Sequence, residues 1–168
     1  RPCMIVVDSN ILAARVLASD VTDLAQQVEA ADNVWLVPRL WRYEFLHILA
    51  TQIKVGRLKT SAAFRVWQTL STLLIDNESD PPAEQILDLV ARHRITAYDA
   101  HFVALAQING CRLITEDGEL QRKFPLLALS MRAYLNAKNN SSWVREPAVP
   151  YGKRPRGSKA TRKTLTSC

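Results

Sequence analysis

Cysteine is scarce in this sequence and is not spaced for structural work. Cys3, Cys111 and Cys168 form an odd, widely separated set, with neither the close pairing of a zinc site nor the even count of a disulfide framework. Reduced thiols in a cytoplasmic setting are the expectation. Long apolar runs are missing as well: no stretch suffices to cross a bilayer as a helix, so no membrane span is expected. The opening RPCMIVVD lacks the apolar core and cleavage site of a secretory signal. Met4 directly precedes the first apolar run, so residues 1–3 read as an addition ahead of the start. There are no internal repeats, which excludes solenoids and propellers. What is present is 168 residues with 48% hydrophobic content, enough to build one compact domain around one core.

The formal net charge of +6 is unevenly spread. Residues 1–137 carry 14 Lys/Arg against 15 Asp/Glu, a net of −1, whereas residues 138–168 carry 8 against the single acid Glu146, a net of +7. The basic character therefore belongs to the end of the chain. Pro147, Pro150, Pro155, Gly152 and Gly157, set among many Ser and Thr, describe a flexible appendage there. The expected division is a domain over residues 4–137 followed by a basic, disordered tail over residues 138–168.

Along the domain, Ile5, Val6 and Val7 read as a buried strand ending at Asp8, with Ser9 or Asn10 opening a helix to Leu17. A helix over 22–31 and a strand over 34–37 follow, the latter stopped by Pro38. From Arg39 to Ile53, the residues Trp41, Phe45, Ile48, Leu49 and Ile53 recur at helical spacing. A helix over 60–70 and a short strand over 73–75 come next. Asp80, Pro81 and Pro82 open a helix to about Arg92, since proline is tolerated in a first turn. The stretch TAYDAHFVALAQ reads as a helix from Thr96 that stops near Gly110. Strands over 111–115 and 127–131 complete the chain. Short apolar strands alternating with helices predict an α/β fold whose parallel sheet, of about four or five strands, is covered on both faces.

Four acids occupy suggestive places in this plan. Asp8 ends one buried strand and Asp117 stands two residues beyond Thr115 at the end of another, where parallel sheets bind ligands. Asp99 shares the inward stripe of Phe102, Val103 and Ala106, and Glu44 borders the stripe of Trp41 and Ile48. Each has a purely structural alternative. Asp8 would cap the next helix and Asp117 the short helix containing Leu120. Asp99 would pair with Thr96 in a capping box, and Glu44 would be a surface residue beside a core stripe. His47 lies three residues after Glu44, a spacing seen in some helical metal sites, but reads as a helix-surface histidine. Taken together, four converging carboxylates would repel and raise one another's pKa values. A divalent cation removes that penalty, and oxygen ligands suit Mg²⁺ or Mn²⁺.

Four stretches in order, MIVVDSNIL, WRYEFLHIL, TAYDAHFVALA and LITEDGEL, resemble the PIN domain family, most closely the VapC-type toxin ribonucleases of toxin–antitoxin pairs. The resemblance covers about residues 4–137 and implies a three-layer α/β/α domain. It assigns Asp8, Glu44, Asp99 and Asp117 to the acidic metal-binding, catalytic set, with Ser9, Asn10 and Thr115 in support. It implies a metal-dependent endoribonuclease using Mg²⁺ or Mn²⁺ to hydrolyse single-stranded RNA, with tRNA, rRNA or mRNA as targets. A small antitoxin protein and a second copy of the chain in a homodimer are the protein partners it implies. The tail has no counterpart in the family pattern. Lys153, Arg154, Arg156, Lys159, Arg162 and Lys163 are candidate RNA contacts through phosphate, against the alternatives of a solvated charge run or residues foreign to the natural protein.

Other functions start from similar features. Aspartyl phosphatases and phosphotransferases also place an acid at a strand end, but carry a second Asp where this chain has Asn10. A response-regulator receiver needs a lysine after a late strand, and none stands there. A non-catalytic binding module that keeps the fold, or a housekeeping PIN nuclease acting on RNA or DNA, remain the readings to separate by metal dependence and by a neighbouring antitoxin gene.

Overall fold

The computed structural model describes residues 4–140. The chain runs β1 (Met4–Val7), α1 (Ser9–Val16), α2 (Thr22–Ala31), β2 (Val34–Leu36), α3 (Trp41–Lys54), α4 (Thr60–Leu74), a 3₁₀ turn (Ile75–Asn77) and α5 (Ala83–His93). It continues through α6 (Ala97–Asn109), β3 (Arg112–Ile114), α7 (Gly118–Lys123), β4 (Ala128–Leu129) and α8 (Met131–Asn139). The four strands pair in parallel in the order β2-β1-β3-β4. The chain leaves β1 toward β2 on one side and returns to β3 on the other. A crevice thus opens at the carboxyl ends of β1 and β3, where such sheets bind ligands.

Side-chain alternation makes the layers. Ile5, Val7 and Ile114 face a cluster with α1, α2, α3, α4 and α8, while Val6, Leu113 and Ala128 face one with α5, α6 and α7. Period-two alternation along each strand divides the core in this way. In α6, Ala100 and the run Phe102 to Ala106 are all buried, and the alanines let this helix lie close to the sheet. Gly110 ends it at φ 58°, in the left-handed region where a missing Cβ is an advantage. The expected three-layer α/β/α architecture with a parallel sheet is what the chain adopts. No helix among the described residues is long and apolar enough to cross a membrane.

Three elements differ from expectation. Residues 73–75 are not a strand: α4 continues through Leu74 because Leu70 and Leu74, four residues apart, both face the core, while Leu73 and Ile75 are exposed. A strand-like remnant comes slightly later, as a single parallel bridge between Val37 and Glu78 at the edge beside β2. The last strand spans only Ala128–Leu129, because the Ser130 hydroxyl caps α8 by accepting from Ala133 N at 3.1 Å. Helix α8 itself was not anticipated, although Met131 and Tyr134, three apart and both buried, carry its signal. It runs through Lys138, whose ammonium is 2.7 Å from Asp32, so ordered structure passes residue 137.

Helix α3 is pinned by aromatic packing. Trp41, Phe45 and Trp67 form a ring cluster with centroids 5.5–6.5 Å apart. The Trp41 indole donates to Glu78 Oε1 at 2.7 Å, and the same oxygen meets Arg42 Nε at 2.7 Å. These contacts fix the rotation of α3, and with it the direction of Glu44.

Arg94 ends α5 at φ 50°, a left-handed conformation costly for a residue with a Cβ. The residue is exposed, and among the described residues only its backbone groups are engaged, the N–H to Val90 O and the carbonyl by Lys123 Nζ. Arg94→Gly is therefore expected to stabilise the fold by about 0.5 kcal/mol, the relief of strain less the backbone entropy of glycine. A rise of one or a few degrees in Tm checks this, and a fall would contradict it.

Candidate active site

Asp8 is the residue at which β1 becomes α1. Its N–H donates to Ile114 O at 3.2 Å, holding the strand end against β3. Its carboxylate caps α1, Oδ1 accepting from Ile11 N at 2.9 Å. Its other oxygen, Oδ2, accepts the Thr115 hydroxyl at 2.5 Å. Thr115 is fully buried and its hydroxyl oxygen also accepts from Asp117 N at 3.0 Å. One hydroxyl therefore joins the two acids that follow β1 and β3.

The other acids are held in the same manner. Ser9, buried at the start of α1, donates to Glu44 Oε2 at 2.5 Å. Thr96 caps α6 by accepting from Asp99 N at 3.1 Å, while its hydroxyl donates to Asp99 Oδ2 at 2.6 Å. This differs from a capping box, in which the acid would accept from the backbone N–H of the cap. Asp117 Oδ1 accepts from Glu119 N at 2.7 Å and Leu120 N at 2.9 Å, capping α7. The structural readings of Asp8, Asp99 and Asp117 are thus real, yet they do not compete with a shared site. Asp8, Glu44, Asp99 and Asp117 all line one cavity of about 490 Å³ at the carboxyl ends of β1 and β3, with Ser9 and Asn10. Thr115 sits beneath it.

Burial pushes the Asp8 carboxyl up to about 6, against the hydrogen bonds from Thr115, Ile11 and Asn10, and the Glu44 charge adds to the rise. Burial also raises Glu44, with the Asp99 carboxylate pushing the same way and Ser9 and His101 opposing. The carboxylates therefore feel one another across the layers that hold α3 and α6.

His47 is exposed on α3, as expected, and its side chain also lines the cavity. Leu40, Tyr43, Ile48, Tyr98, Phe102 and Leu120 complete the lining, and the sequence assigns none of them to the site, although Ile48 and Phe102 stand in its apolar stripes and Leu120 in its short helix. Their signal is adjacency, since Tyr43 and Tyr98 each directly precede an acid. Lys153, Arg154, Arg156, Lys159, Arg162 and Lys163 lie outside the described residues.

No three or more Asp, Glu, His or Cys side chains among the described residues stand as a ready group for a metal ion. The donor set nevertheless fits a hard divalent cation in kind. Glu44 Oε1, Asp99 Oδ1 and Asp117 Oδ2 have no hydrogen-bond partner among the described residues. Two of the four carboxyls are raised by burial and mutual repulsion, the penalty a cation relieves.

The raised Asp8 pKa sets the sign of a stability effect. The folded state holds this proton more tightly than the unfolded chain, so the contribution is full below about 3.8 and is lost as pH rises through about 6. Metal-free protein should lose stability over that window. Asp8→Asn should flatten the loss and raise Tm at pH 7, because the amide oxygen can still cap Ile11 N and its NH₂ can donate to Thr115. Thermal melts from pH 4 to pH 8, in chelator, check this. A wild-type Tm that climbs across the window, or a variant that melts lower at pH 7, would contradict it.

Comparison with known proteins places the chain. The PIN domain family model matches residues 5–124. Ribonuclease VapC3 of Pyrobaculum aerophilum is 27% identical over 127 residues, 73% of this chain and 96% of that protein. Exonuclease VapC9 of the same organism is 32% identical over 82 residues, 48% of this chain and 60% of that protein. The crystal structure of PAE2754 from Pyrobaculum aerophilum superposes with a TM-score of 0.63 at 23% identity, covering 82% of this chain and 98% of that one, a likeness of fold. With the family match spanning most of the α/β domain and the acid cavity, the chain belongs to the PIN domain family.

Proposed function

We propose that the protein is a metal-dependent endoribonuclease of the VapC type, hydrolysing phosphodiester bonds of single-stranded RNA in the cytoplasm. The observation that carries this reading is the convergence of Asp8, Glu44, Asp99 and Asp117 on one cavity at the β1/β3 crevice. The relatives named VapC3 and VapC9 support nuclease chemistry there.

Asp8 and Asp99 would hold Mg²⁺ or Mn²⁺ directly, and Glu44 and Asp117 would complete the shell. A divalent cation bound there would supply the charge that polarises the scissile phosphate and makes a nearby water more acidic. The remaining work belongs to the chain. Thr115 and Ile11 N fix the two oxygens of Asp8, Ser9 fixes Glu44, Thr96 fixes Asp99, and the first amides of α7 fix Asp117. Carboxylates held in this way need little reorganisation when substrate arrives. Glu44 Oε1 and Asp117 Oδ2 are free, among the described residues, to accept a hydrogen bond from the attacking water. The relative ordering of the strand ends supplies the positioning.

Asp8→Asn and Asp99→Asn should each lower RNA cleavage on the order of 10³-fold in Mg²⁺ or Mn²⁺ while the fold persists. Full activity in both variants would overturn the assignment. Linear and circular forms of one RNA, cleaved side by side, separate endonuclease from exonuclease action, since a circle has no end to enter. As the toxin of a pair, the protein should also arrest growth when expressed unless a small antitoxin is supplied. Harmless expression of an enzyme active in vitro favours a housekeeping role instead.

A further inference from the structure

Tyr43 and Tyr98 are the two large apolar side chains that are both strongly exposed and part of the acid cavity. Tyr43 is 75% exposed and Tyr98 63%. The other exposed large apolar residues among those described, such as Phe64, Leu87 and Leu126, lie away from that cavity. Trp41, Phe45 and Phe102, on the same two helices, are buried. Among the described residues neither tyrosine ring packs on another ring, and neither hydroxyl has a hydrogen-bond partner. No contact among the described residues accounts for their placement.

Their positions are related. Tyr43 directly precedes Glu44 and Tyr98 directly precedes Asp99, and successive helical residues diverge by about 100°. With the acids turned into the cavity, the rings stand on its rim. Helices α3 and α6 also belong to opposite layers of the sandwich, so one ring comes from each face of the sheet. Leu40, Ile48 and Phe102 add apolar lining beside them. Singly exposed apolar residues are ordinary, but that gives no reason for two aromatic rings to flank the carboxylates from opposite sides.

We propose that Tyr43 and Tyr98 are stacking platforms for unpaired RNA bases on either side of the phosphate held at the acids. This rests on the nuclease reading and deepens it. Every base has a π face, so two such platforms grip a single strand with little regard to sequence. In a duplex those faces are already stacked and cannot reach the rings. The pair therefore selects single-stranded over double-stranded RNA at the step of binding.

The test uses the full chain and a fluorescently labelled single-stranded RNA of mixed sequence, with the same strand annealed to its complement as control. Affinity is measured by anisotropy with Ca²⁺ in place of Mg²⁺ or Mn²⁺, so that the acid charge is offset and binding is read apart from turnover. Tyr43→Ala and Tyr98→Ala should each weaken single-strand binding roughly 5- to 150-fold, while Tyr43→Phe and Tyr98→Phe hold wild-type affinity. The duplex, bound more weakly by wild type, should be indifferent to all four changes. In Mg²⁺ or Mn²⁺, the alanine variants should show the loss in KM rather than kcat. Single-strand affinity unchanged in both alanine variants, an equal loss for duplex, or no binding of either RNA by wild type overturns the proposal. Wild-type cleavage measured alongside keeps the two readings apart: cleavage with unchanged alanine variants removes the platforms and leaves the nuclease.

Discussion

The hydrogen bond from Thr115 to Asp8 is the constraint on which the site depends. An ionisable group at the end of a central buried strand is costly unless something receives it. Here a buried hydroxyl from the neighbouring strand meets one carboxylate oxygen and the first turn of α1 meets the other. The same hydroxyl accepts the amide of Asp117, so the register of β1 against β3, Val7 opposite Ile114, also sets the separation of two acids. A one-residue slip would turn the apolar set of β1 to the wrong layers and separate the acids. Fold and site are therefore specified by the same pairing.

Capping and function are usually treated as rival explanations of an acid at an element boundary, and in this chain they are not rivals. Asp8, Asp99 and Asp117 each commit an oxygen to a local polar contact at a helix start. Helix starts favour negative charge in any case. The fold thus places three carboxylates at one crevice, each oriented by the start of a helix, with the burial of Asp8 as a cost that remains. Glu44 also lies in the first turn of its helix, α3, but takes its direction from Ser9 and from the aromatic packing of Trp41, Phe45 and Trp67.

Much of this was legible in the residues. The apolar run Ile5, Val6 and Val7, the spacing in α3 and the caps at Thr96 and Asp117 are local signals, and they read correctly. What failed was also local in cause. Leu73, Leu74 and Ile75 look like a strand until Leu70 is known to face the core, which makes Leu74 the continuation of a helical stripe. Helix α8 was hidden by LALSM, where strand and helix signals overlap at Ser130. The rim tyrosines could not be read from periodicity, because nothing in WRYEFLHIL or TAYDAHFVALA says that the two helices meet across the strand ends. That depends on the strand order, with β1 between β2 and β3.

The four carboxylates are proposed to form a cation site. Anomalous diffraction from crystals grown in Mn²⁺ tests it most directly, because it locates the ion without assuming an activity. A peak is expected inside the acid cavity, within ligand distance of Asp8 and Asp99, that disappears in Asp8→Asn. A cavity without a peak at saturating Mn²⁺, or a peak bound only elsewhere on the protein, would contradict it.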